Sequence, residues 1–63
     1  MFAYKSELFA MVVVAMKEIG VSHITDEMIC NIKNILAKEE NQQLIKSDFQ
    51  IAPQWVRKKL VTI

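Results

Sequence analysis

The most hydrophobic stretch of the chain, LFAMVVVAM at residues 8–16, contains no charged side chain. It follows Ser6, which can cap a helix, and Glu7, whose charge favours the positive first turn. Ile19 is followed by Gly20, the residue type that most readily adopts the left-handed conformation in which many helices end. The pattern therefore predicts a first helix from about Ser6 to Ile19.

A second run of residues has one apolar stripe that repeats at the helical period. The stripe consists of Met28, Ile29, Ile32, Ile35 and Leu36. Thr25 stands before it as a capping residue, and the acids Asp26 and Glu27 occupy the first turn. These signals predict an amphipathic second helix that packs this stripe against one apolar neighbour.

The apolar stripe is interrupted at residues 39–43, EENQQ, which predicts a break in the helical structure. We expect Leu44 and Ile45 to belong to a short third helix. Residues 47–53 then form a compact connector to the fourth helix. The end of this connector is predicted from Ala52 and Pro53.

Ala52 precedes a proline and is therefore biased away from helical geometry, while Pro53 suits the first position of a helix. The sequence predicts a fourth helix from Pro53 to about Leu60. Trp55, Val56 and Leu60 form its buried face, and we expect Trp55 to fill the core instead of stacking on nucleic-acid bases.

With no hairpin signal, these elements predict an all-α fold: a single domain over residues 1–63, built as a small helix-turn-helix-like bundle of three to four short helices. A chain of 63 residues buries only about 60% of its unfolded surface, and its lone cysteine, Cys30, excludes an intrachain disulfide. A first helix that is apolar on every side needs further burial. We therefore expect a homodimer or a helical protein partner, with an interface at Phe9, Val12, Val13 and Met16. The alternative is a monomer in which the other helices enclose the first.

The charges of the chain are unevenly distributed, although the net charge is only +1. Residues 1–45 carry four cationic and six acidic side chains, whereas residues 46–63 carry four cationic side chains and one acidic one. Attraction to phosphate therefore belongs to the C-terminal part of the chain. The candidate DNA contacts are Lys46, Gln54, Arg57, Lys58 and Lys59. Arginine suits guanine, glutamine suits adenine, and lysine suits phosphate. The alternative is that these residues form an ordinary solvated helix face.

The stretch F-x-x-A-P-Q-W-V-x-K at residues 49–58 resembles a known signature. It is similar to the F-x-A-S-x-G-W-L-x-R-F motif that closes the helix-turn-helix of the centromere protein B and pogo/Tigger transposase DNA-binding family. Phe49, Trp55, Val56 and Lys58 match the motif, and Ala52 stands where the family has a capping Ser. The resemblance implies a helix-turn-helix that binds DNA through its last helix.

Other classes of site lack support in the sequence. His23, Asp26, Glu27 and Cys30 are too few to complete a tetrahedral metal site, and there is no glycine-rich phosphate loop. We expect no enzyme, no cofactor and no metal. The apolar stretch is far shorter than the roughly 20 residues that span a membrane, so we expect no membrane partner and an intracellular location, in cytoplasm or nucleus.

Two functions are consistent with the sequence. The first is a small DNA-binding or transcription-regulatory helix-turn-helix module that uses the basic fourth helix. The second is a helical protein-interaction or dimerisation module that acts through the apolar first helix without binding DNA.

Overall fold

The computed structural model describes residues 4–61, which contain four α-helices and no strand. The helices are α1 (Glu7–Ile19), α2 (Asp26–Ala37), α3 (Gln42–Ile51) and α4 (Gln54–Val61), and a 3₁₀ turn at Val21–His23 links the first two. The predicted small all-α bundle is confirmed. The radius of gyration of the Cα atoms is 10.8 Å, close to the value of about 11 Å for a folded chain of this length.

The start of α1 follows the predicted signal, and its end has the predicted glycine with a positive φ, although a ψ of 134° places Gly20 outside the left-handed helical conformation. The side-chain oxygen of Ser6 accepts a hydrogen bond from the amide of Phe9 at 3.2 Å, which satisfies one of the open donors of the first turn. At the other end Gly20 has a φ of +93°, and its amide donates to the carbonyl of Met16 at 3.1 Å. This backbone conformation is strained for residues with a Cβ atom, so glycine is the residue that ends α1 here.

The start of α2 is also capped as predicted, because the hydroxyl of Thr25 accepts a hydrogen bond from the amide of Met28 at 3.2 Å. The predicted break after α2 is present, since α2 ends at Ala37 and α3 begins at Gln42. The groups that cap the end of α2 were not predicted. The side-chain amide of Gln42 donates to the carbonyls of Leu36 at 2.7 Å and of Glu39 at 2.8 Å. Carbonyls at a helix end lack partners within the helix, so the first residue of α3 closes α2.

The core lies between the four helices, and α1 contributes one side to it while its other side is exposed. Ten hydrophobic residues of the described range are buried there: Phe9, Val13, Met16, Ile24, Ile29, Leu36, Ile45, Ala52, Val56 and Leu60. All four helices contribute, and Ala52 comes from the connector before α4. The half-buried side chains of Trp55 and Phe49 pack against this cluster. Trp55 thus packs at the edge of the core and is half-buried, whereas the sequence predicted that it fills the core.

The predicted interface on α1 is wrong for three of its four residues. Phe9, Val13 and Met16 are 0%, 4% and 1% exposed, and Val12 is half-buried against the core. The apolar stretch at residues 8–16 does not itself show which side of α1 faces inward. In the structure, the other helices cover the side that carries Phe9, Val13 and Met16. The outward side carries Met11, which is 68% exposed. Burial of this side of α1 within its own chain removes Phe9, Val13 and Met16 as contacts for a second copy.

The apolar stripe of α2 is buried only in part. Ile29 and Leu36 lie in the core, and Ile32 packs against it. Met28 and Ile35 are exposed, so the expectation that the whole stripe packs against a neighbour is wrong. The stripe is wider than the strip of helix surface that α1, α3 and α4 cover.

The third helix is longer than predicted. Residues 47–51 belong to α3, which leaves a connector of only Ala52 and Pro53. Ala52 has an extended conformation, with φ of −66° and ψ of 152°, as its place before proline predicts. The prediction of a compact connector over residues 47–53 is wrong because Asp48 occupies a core position of the helix. A charged residue there concealed the helical period that runs from Ile45 to Ala52.

None of the helices in the described part of the chain has the length and apolar character that crossing a bilayer requires.

Candidate nucleic-acid interface

The connector between α3 and α4 is short and well fixed. Ala52 is buried, and its amide donates to the carbonyl of Phe49 at 3.3 Å. On the other side, the carbonyl of Pro53 accepts hydrogen bonds from the amides of Val56 and Arg57. The two helices are therefore joined by a two-residue turn that has backbone hydrogen bonds on both sides.

Burial of one side of α4 determines which residues lie on its outer side. Val56 and Leu60 are buried, while Gln54, Arg57 and Lys58 are exposed. The three exposed residues are spaced three and four positions apart, so they share one face of the helix. Together with two apolar residues they line a shallow hollow of about 460 Å³. The structure thus brings three of the five predicted DNA contacts to one site.

The other two predicted contacts lie apart from this hollow. Lys46 on α3 is exposed and lines a neighbouring groove, which shares Phe49 and Val61 with the hollow. Lys59 is half-buried and lines neither cavity. It follows Trp55 by one helical turn, on the side of α4 next to the packed residues. Lys46 therefore extends the surface around Gln54, Arg57 and Lys58, whereas Lys59 does not.

The structural role of Asp48 was not predicted from the sequence. It is 1% exposed, and its two carboxylate oxygens accept hydrogen bonds from the backbone amides of Lys5 and Ser6, each at 2.7 Å. A carboxylate is well placed there, because open amides and a positive partial charge mark the start of a helix. The sequence signal for its burial is its helical spacing from Ile45 and Ala52.

Burial of Asp48 changes the charge of the α3–α4 surface. It is the only acidic residue in the two helices, so neither helix presents a carboxylate to solvent. Lys46, Arg57 and Lys58 are exposed, and Lys59 is half-buried. The surface is therefore more cationic than the count of charges along the sequence indicates.

Two acidic residues lie apart from the α3–α4 surface. Glu7 at the start of α1 and Glu39 in the loop before α3 line a separate hollow, with Lys5 and Asn41 beside them. Neither carboxylate lines the hollow of Gln54, Arg57 and Lys58 or the neighbouring groove of Lys46.

Tyr4 lies next to the buried carboxylate. The centroids of its ring and of the Phe9 ring are 5.3 Å apart. Burial raises the pKa of the Tyr4 hydroxyl above its ordinary value of 10.0, and the negative charge of Asp48 raises this pKa further. The phenol is thus held in its neutral form next to the cap of α1.

We expect an ultraviolet titration of the phenol to show this shift, because Tyr4 is the only tyrosine of the chain. The midpoint in the folded protein should lie above pH 10, and the denatured chain should titrate near its ordinary value. The contribution of Tyr4 to stability is then complete below pH 10 and is lost as the pH rises through the folded-state pKa. A folded-state midpoint at or below that of the denatured chain would contradict this placement.

The residues that the sequence offered as metal ligands do not form a ligand group. Within residues 4–61, no three side chains of His, Cys, Asp or Glu lie close enough together to hold an ion. The ring of His23 forms a hydrogen bond with the hydroxyl of Ser22, at 3.2 Å from Nδ1, and Cys30 is an exposed free thiol.

Comparisons with protein-family models, with curated proteins and with solved structures found no match to this chain.

Proposed function

We propose that this chain is a small DNA-binding module of the helix-turn-helix type. The observation that supports the proposal most directly is the outer face of α4. Gln54, Arg57 and Lys58 line one exposed hollow there, immediately after a two-residue turn from α3. The similarity to the centromere protein B and pogo/Tigger motif lies in the same segment and supports the same proposal.

In this proposal α4 lies in the major groove. A helix of eight residues is about 12 Å long, comparable to the width of that groove. Arg57 donates a pair of hydrogen bonds to guanine, and Gln54 forms a pair with adenine. Lys58 and Lys46 bind phosphates and set the position of the helix.

The alternative module, which acts through the apolar side of α1, has less support. Its proposed interface residues Phe9, Val13 and Met16 lie in the core of the chain. At 0%, 4% and 1% exposure these side chains present almost no surface to a partner. We therefore do not propose that function.

We expect the protein to bind a labelled random-sequence DNA duplex with an affinity that falls steeply as salt concentration rises. Fluorescence anisotropy at several salt concentrations measures this dependence. Arg57→Ala/Lys58→Ala should weaken binding at least about tenfold, and Lys58→Ala alone should lower the slope of log affinity against log salt by about one.

Lys59→Ala is the matched control, because it removes the same charge from the same turn of α4 but lies outside the hollow. It should keep most of the affinity. Absence of binding at low salt by the folded protein would refute the proposal. An equal loss in Lys58→Ala and Lys59→Ala would refute the assigned face of α4.

A further inference from the structure

A groove of about 610 Å³ runs between α2, α3 and α4, next to the proposed DNA contacts. Its floor lies over the buried side chains of Phe9, Leu36, Ile45 and Leu60, which belong to all four helices. The apolar surface that a ligand can reach there includes the half-buried Phe49 and the exposed Val61. Its volume is within the range of sites that bind ligands, and the groove is open to solvent. An open apolar groove of this kind can receive the apolar face of a helix.

The edge of the groove carries charge of one sign. Lys33 from α2 and Lys46 from α3 line it, and none of the described residues around it is Asp or Glu. The one acidic residue of α3, Asp48, points into the core, where it binds the amides at the start of α1. Carboxylates on a partner would therefore meet cations along this edge and no like charge from the lining.

We propose that this groove binds a short amphipathic helix of another protein, with apolar side chains on one face and carboxylates beside them. An apolar floor and a cationic edge match the two faces of such a helix. A DNA backbone would use only the cations, since phosphate and sugar gain little from an apolar floor. The groove is thus a protein-binding site distinct in chemistry from the face of α4 that reads DNA.

The two sites are neighbours. Phe49 and Val61 line both the groove and the DNA hollow, and Val61 is 68% exposed. A helix seated in the groove would cover part of the surface next to Arg57. Gln50, by contrast, lines the groove but not the hollow, so the groove can be altered without changing a residue of the hollow.

The test uses the full ¹⁵N-labelled chain and a synthetic helical peptide of about 12 residues. Its apolar residues recur at three- and four-residue steps, and its remaining positions are Glu. We expect the amide signals of Lys46, Phe49 and Val61 to shift in a saturable manner. A second peptide with Lys in place of each Glu should bind at least about fivefold more weakly.

Gln50→Glu places a carboxylate at the edge of the groove without a change of size. It should weaken binding of the Glu peptide about fivefold and strengthen binding of the Lys peptide. Gln43→Glu, the same change at an exposed position of α3 outside the groove, is the matched control and should leave both affinities unchanged.

Three outcomes would overturn the proposal. The first is equal binding of the two peptides, or no binding of either. The second is a set of shifts confined to the outer side of α1 around Met11. The third is that signals from the groove move with protein concentration when no peptide is present, which would assign the groove to a second copy of this chain. Binding of DNA is measured separately through Arg57 and Lys58, so either proposal can fail alone.

Discussion

Replacing Asp48 with Ala is expected to destabilise the folded domain by about 3–5 kcal/mol. The change leaves the amides of Lys5 and Ser6 without their acceptor, and each amide donates to a carboxylate oxygen at 2.7 Å. An unsatisfied buried donor costs about 1–3 kcal/mol, and bonds to charged groups lie at the upper end. A domain of 63 residues has a total stability of roughly 3–9 kcal/mol. Most of the folding free energy would therefore be lost.

Urea denaturation followed by circular dichroism measures this loss. Asp48→Asn serves as the control, because its carbonyl oxygen can still accept one of the two hydrogen bonds. We expect it to retain a midpoint between those of the original chain and the Ala variant. A midpoint for Asp48→Ala equal to that of the original chain would show that the carboxylate does not hold the start of α1.

Replacing Val13 with Asp is expected to unfold the chain. Val13 is 4% exposed within the core, and an unpaired charge there costs several kcal/mol. Met11→Asp is the matched control, since it places the same side chain two residues earlier in the same helix at a position that is 68% exposed. Its cost should not exceed about 1 kcal/mol, the scale of helix propensity.

Far-ultraviolet circular dichroism and thermal unfolding distinguish the two variants. The comparison also decides between the two interpretations of the apolar stretch at residues 8–16. If Val13 lay at an interface between chains, Val13→Asp would yield a folded monomer. A folded, helical Val13→Asp protein would therefore contradict the placement of Val13 in the core.

The features of this fold that the sequence predicts correctly depend on near neighbours. Ser6 and Thr25 cap helices through amides three residues away, and Gly20 ends α1 through its own backbone conformation. The extended conformation of Ala52 depends only on the proline that follows it. These signals act within one turn of chain and need no knowledge of the tertiary structure.

The features that the sequence does not predict depend on distant partners. Asp48 lies inside because the amides of Lys5 and Ser6 meet it there, 43 and 42 positions earlier in the chain. In the sequence alone these two amides are not visible as partners, so a charged residue indicates a solvated position. The predicted α3 was too short for this reason. The stretch around Val13 is apolar on every side, so only the packing of the other helices decides which side is buried.

In the candidate DNA-binding site, too, the predicted features depend on near neighbours and the others depend on distant parts of the chain. The exposed face with Arg57 and Lys58 follows from the spacing of apolar residues in α4, and it was predicted. The groove beside it was not predicted, because α1, α2, α3 and α4 all contribute to its lining. The absence of surface carboxylates on α3 and α4 likewise requires the position of Asp48 in three dimensions.

The hydrogen bonds of Gln42 and Asp48 close chain loops of very different size, which implies an order of folding. Gln42 reaches the carbonyl of Leu36 across six positions, whereas Asp48 reaches the amide of Ser6 across 42. The entropy of loop closure makes the longer connection about 1.7 kcal/mol less favourable at the stage when it first forms. We therefore expect the α2–α3 hairpin to form early and the docking of the start of α1 onto α3 to complete the native state.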